Sequence, residues 1–150
     1  MLHTVVIGLH AASGVVALAS GLQAMRGGRL LRTHLWSLVA TIAWLAVAVA
    51  LDWAALPPAG RVLFAGFTAL GGYMVWRAVQ ALRRRPAPGV RPSVAYVRDL
   101  GFNLVALSDA FLVIAVLDLG APVAVVVATG VAVAVAGHFV LVRVERAIAY

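Results

Sequence analysis

Apolar residues arrive in five long blocks, and the polar residues are confined almost entirely to the gaps between them. The blocks are residues 2–25, 34–56, 61–82, 99–119 and 122–142. Each is about 20 residues long, the length an α-helix needs to cross about 30 Å of hydrocarbon. The gaps carry turn chemistry. Arg26-Gly27-Gly28-Arg29 follows the first block, Pro57-Pro58-Ala59-Gly60 the second, and Arg83 to Ser93, with three prolines, the third. Asp118, Gly120 and Pro122 separate the last two. The pattern predicts an all-α protein, an integral membrane helical bundle of five transmembrane helices forming one domain over residues 1–150. The first block has no basic residues ahead of it, so it reads as a spanning helix rather than a signal peptide.

Composition agrees. Hydrophobic residues make up 64% of the 150 and charged residues 11%, against about half and about a quarter in soluble domains. The net charge of +7 comes from 12 basic residues, every one an arginine. With no lysine there is no Schiff-base chemistry. With no cysteine there are no disulfides, thiolate metal sites, iron–sulfur clusters or covalently attached haem. The arginines sit in short loops, which speaks for membrane topology and against a nucleic-acid partner. Eleven of the 12 fall on one side if the N-terminus lies outside, and Arg61 alone falls on the other. The positive-inside rule then predicts an outside N-terminus, a cytoplasmic C-terminus and a bacterial-type inner membrane.

The candidate chemistry lies inside the spans. Asp109 sits near the middle of the fourth block, where a carboxylate costs several kcal/mol unless protonated, paired or wetted. At 1.5 Å per residue, Asp109 lies about 13 Å below the outer end of its helix, and His10 about 12 Å below the outer end of the first. Thr68 falls slightly above that level. His10 and Ser13 also begin a stripe, with Gly14, Ala17, Ser20 and Gly21, whose spacing puts small residues on one helix face. The expectation is an intramembrane polar site of Asp109, His10, Ser13 and Thr68. It would bind a small or lipophilic ligand, or handle protons. Asn103, six residues before Asp109, is turned about 240° of helix rotation from it and belongs to another layer.

That second layer lies nearer the arginine side. Ser20, Asn103 and His138 each sit about 6–8 Å from a helix end, with His34 at the boundary. Two neutral imidazoles at one level suit b-type haem, so an alternative is an electron-transfer subunit using His34 and His138. The four histidines, His3, His10, His34 and His138, have no local ligand spacing, and no metal site is expected. A third alternative is an accessory subunit. Thr129, Val133 and Gly137, with Gly130 and Ala134, give the helix over 123–142 a small-residue face for a homo-oligomer, a larger complex, or packing within the chain. The loop from Arg83 to Arg91 either binds anionic headgroups or a partner, or serves only as a topology signal.

One stretch carries a resemblance. His10-Ala11-Ala12-Ser13-Gly14, the small residues to Gly21, the basic turn and Thr33-His34-Leu35-Trp36 resemble a group of uncharacterised bacterial multi-span membrane proteins. That group shares a first-helix His-x3-Gly, a basic turn and a histidine opening the second helix. The likeness covers roughly the first quarter of the chain. In the group the second histidine is usually followed by Arg and later by Gly and Tyr; here Leu35 follows. A later basic, histidine-containing turn is replaced by Val97-Arg98-Asp99. The resemblance implies a multi-span bundle and singles out His10 and His34. It implies no reaction.

Overall fold

The computed structural model describes residues 1–149 and is all-helical: α1 (Leu2–Met25), α2 (Leu31–Asp52), α3 (Pro58–Arg83), α4 (Val94–Asp118) and α5 (Val123–Ala149). All five helices are long and apolar enough to cross a membrane. Only α1 has the bounds the sequence predicts. It stops where Gly28, at φ 74°, turns left-handed and its N–H closes onto the Ala24 carbonyl at 2.7 Å. The chain then reverses within a few residues, and Leu30 takes φ 59°, so α2 starts at Leu31 rather than His34. It ends at Asp52 rather than Leu56, and a turn over residues 53–55 leads to Leu56, which Pro57 disfavours from the helical region. Pro58 occupies the first turn of α3, where its missing N–H costs nothing.

The larger departures are in α4 and α5. Ser93 caps α4, its Oγ accepting from the Tyr96 N–H at 3.2 Å, so the helix begins at Val94 and Asp99 lies inside it. Helix α5 runs on past Val142 to Ala149. That extra length brings Glu145 against Arg98 of α4, with Nη2 to Oε2 at 2.7 Å.

Helices α1 to α4 close a ring in which each packs on the next and α4 returns to α1. Among the described residues α5 packs on α4 alone. Alternating helix directions gather the arginine-rich turns at one end. The ring's interior holds Ala17, Leu38, Met74, Ala78 and Leu107, with Tyr96, Val97 and Leu100 nearer the arginine end. Ser20, His34, Thr41, Asp99 and Asn103 are buried among them, while Val15, Leu22, Ile114, Val131 and Phe139 face outwards. An outside carrying so many large apolar side chains is unsuited to water and suited to lipid. No residue in the most apolar stretch of α5 is buried.

Small residues set the spacing. On the stripe of α1, Gly14, Ala17, Ser20 and Gly21 are buried. A Cβ on Gly21 would lie 2.7 Å from His34 Nδ1 and 2.8 Å from Leu104 Cδ2, so only glycine lets α1 approach so closely. On α5, Gly130 and Gly137 both face α4, opposite Val113 and Val105. The glycines of that helix are therefore used inside the chain.

Candidate functional site

Helix α4 carries two separate polar faces. The first points into the ring. Tyr96, Asp99 and Asn103 share it at i, i+3 and i+7. The Tyr96 hydroxyl donates to the Ala24 carbonyl of α1 at 2.7 Å. Asp99 pairs with Arg77 of α3 and with Arg84, the residue that follows that helix. Arg77 Nε stands 3.0 Å from Oδ1, close enough for an ion pair but off the line of a hydrogen bond, and Arg84 binds Oδ2. Arg77 also donates to the Arg98 carbonyl at 2.6 Å and to the Tyr73 hydroxyl at 3.0 Å, and its guanidinium lies 5.0 Å from the centre of the Phe102 ring.

Asn103 extends this face to α2. Its Nδ2 donates to the Met74 carbonyl at 3.0 Å and stands 3.5 Å from His34 Nε2. His34 is fully buried, and its Nδ1 lies 2.7 Å from the Ala17 carbonyl. A carbonyl can only accept, so Nδ1 carries the proton and the Nε2 lone pair faces the Asn103 amide. Four helices are thus tied by one network. Among the described residues, Asn103 Oδ1 is a buried side-chain atom of this network left without a hydrogen-bond partner. Ser20 does not join it; its hydroxyl turns back to the Val16 and Ala17 carbonyls of its own helix.

The haem arrangement expected of His34 and His138 is not formed within one chain. Both ring nitrogens of His34 face protein groups in a closed interior. His138 is exposed on α5, edge-on to Phe139, and among the described residues α5 does not pack on α2. The two share a level but not a direction.

The mid-span site also divides. His10 Nδ1 donates to the Thr41 carbonyl of α2 at 2.8 Å. Ser13 Oγ accepts from Thr41 Oγ1 at 3.1 Å and donates to the Leu9 carbonyl. Thr68 bonds back to the Phe64 carbonyl of its own helix. Asp109 meets none of them: among the described residues no hydrogen bond or ion pair joins it to His10. The expected Asp109–His10 pair is therefore corrected. Helix α1 meets α4 through Leu104 and Phe111, whereas Asp109 lies on the second polar face, towards α5. Opposite it is Gly130, where a Cβ would lie 3.6 Å from Oδ1. That Oδ1 is buried and has no hydrogen-bond partner.

Sequence reasoning missed Asp99, Arg77, Arg84 and Tyr96 as a group, and also the ion pair of His3 with Asp52 at 3.1 Å near the other end. The available signal was Arg77 itself, an arginine within a spanning run with a carboxylate at the facing end of the next. Beside the Asp109 face an open groove of about 870 Å³ runs between α1 and α5, lined by Leu22, Gln23, Val105, Ser108, Leu112 and Val140 among others. No group of three or more His, Cys, Asp or Glu suited to a metal occurs among the described residues. No family model matches the chain, and neither a curated protein nor a solved structure does.

Proposed function

We propose that the chain is a multi-pass membrane protein, N-terminus outside and C-terminus inside a bacterial-type cytoplasmic membrane, in which Asp109 is a mid-span site for a proton or a small lipophilic ligand. The orientation is supported by the gathering of eleven of the 12 arginines at one end. The site is supported by one observation above all: the buried Asp109 Oδ1 without a partner, facing a glycine of the next helix. A carboxylate in hydrocarbon must be neutralised by a proton or by a donor from something else. The inner network around Asp99 is already paired to arginine, and His10 is occupied by α2. Asp109 is the intramembrane acid left available.

Dicyclohexylcarbodiimide tests this reading, because it modifies protonated carboxyl groups in apolar surroundings. The purified protein is expected to gain an adduct that maps to Asp109, and Asp109→Asn is expected to lose it. A wild-type protein that takes no adduct, or takes it elsewhere, sinks the proposal.

A second reading has its own observation. Among the described residues helix α5 is held by α4 alone, and it turns most of its valines outwards. That face suits a neighbouring subunit, which would make the chain an accessory or self-associating component. Native mass measurement from mild detergent is expected to show more than one chain if so, and a single chain would leave α5 facing lipid.

A further inference from the structure

At the arginine end, the α1–α2 turn and the α3–α4 loop border a half-open cavity of about 450 Å³, lined by Gly27, Arg29, Arg85, Pro86, Pro88 and Gly89. Two guanidinium side chains border it, and no carboxylate does. Neither arginine belongs to an ion pair among the described residues. The two acidic side chains at this end are both committed elsewhere. Asp99 is held by Arg77 and Arg84, and Glu145 by Arg98. Nothing at this end of the described chain remains to neutralise Arg29 and Arg85.

The cavity is also built rather than incidental. Arg85 crosses directly over Gly28, where a Cβ would stand 2.8 Å from its Cγ and 3.1 Å from its Nε. Gly28 is left-handed at φ 74°, so the turn needs glycine for its conformation and for this contact alike. Pro86 packs on the same spot and, with Pro88, stiffens the wall. The stem of Arg85 is thereby fixed, which lowers the entropy lost when its fork engages a ligand.

We infer that this cavity binds a phosphate group, clamped between Arg29 and Arg85. Guanidinium forks match the oxygens of a phosphate bidentately, and the volume suits a phosphodiester headgroup. The cavity lies just past the ends of α1 at Met25 and α3 at Arg83, the level at which headgroups would meet a spanning protein. An anionic phospholipid and free phosphate offer the same chemistry. Only the lipid source rests on the membrane reading above.

The full-length protein in non-ionic detergent, titrated with phosphatidylglycerol or phosphatidylcholine and followed by native mass spectrometry, tests the site. Wild type is expected to retain phosphatidylglycerol in preference to phosphatidylcholine. Arg29→Gln with Arg85→Gln is expected to weaken that retention about tenfold, the loss of charge-assisted hydrogen bonds. Arg143→Gln with Arg146→Gln removes the same charge from the end of α5 and is expected to change little. Equal weakening by both pairs would mean diffuse surface charge only and would overturn the site. Should the first variant fail to fold, protection of the unaltered protein decides. Phosphatidylglycerol vesicles are expected to slow phenylglyoxal modification of Arg29 and Arg85 relative to Arg143. Protection by inorganic phosphate but not by vesicles keeps the site and assigns it to free phosphate; protection by neither removes it. Flotation with neutral phosphatidylcholine vesicles judges membrane insertion separately.

Discussion

Asp99→Ala is expected to lower the unfolding free energy by about 3–5 kcal/mol, because it strands a charge in the interior. The relevant partner is Arg77, whose side chain is 13% exposed beside an Asp99 that is 8% exposed. Arg84, at 45%, can turn outwards when its partner is lost, and its half of the cluster adds little. Arg77 cannot leave so easily. It is held by the Arg98 carbonyl and the Tyr73 hydroxyl, and its guanidinium lies over Phe102. Denaturation from dodecyl maltoside by titration with sodium dodecyl sulfate would measure the loss. Removing both charges, as in Arg77→Met with Asp99→Leu, is expected to restore much of the stability, since apolar packing often replaces a buried ion pair at no net cost. If the double variant is no better than Asp99→Ala, the cluster does not act through stranded charge.

This cluster also marks where the sequence stopped being legible. Span number and approximate position follow from run length, and the five helices lie where the apolar blocks do. Helix ends follow from local contacts that hydropathy cannot weigh. Asp99 looked like the polar edge of a span, yet the Ser93 cap starts the helix earlier and Arg77 and Arg84 neutralise the carboxylate inside it. Counting residues from a helix end ignores how neighbouring helices slide past one another, and direction could be read only in part. Rotation along α4 separates Asn103 from Asp109, and the two do face different neighbours, the ring interior and α5. Which helix stands in each direction, and how far each is shifted along its neighbour, is decided by packing: α1 sets Gly14 against Phe111, and His10 is spent on the Thr41 carbonyl instead of on Asp109. The small-residue stripe of α1 was legible because close approach demands small side chains whatever the partner. That the partner on its lower half is an imidazole was not.

That contact carries the second large effect. Gly21→Ala is expected to cost roughly 1–3 kcal/mol, although it adds one methyl to a residue already in a helix. Helix propensity alone would favour the alanine by about 1 kcal/mol, so a net loss isolates the steric term. The added Cβ would sit 2.7 Å from His34 Nδ1 and 2.8 Å from Leu104 Cδ2. His34 cannot swing aside freely, because its Nδ1–H is given to the Ala17 carbonyl at 2.7 Å and its other nitrogen faces Asn103. His34→Ala is expected to lose about 2–4 kcal/mol on its own, from the void and from the partners left bare in the core. Combined, the two substitutions should cost less than their sum by about 1–2 kcal/mol, since the new methyl enters space the imidazole has vacated. The same detergent titration reads all three variants. Strict additivity would mean that α1 and α2 do not meet at Gly21 and His34, and the register of the whole ring would then have to be redrawn.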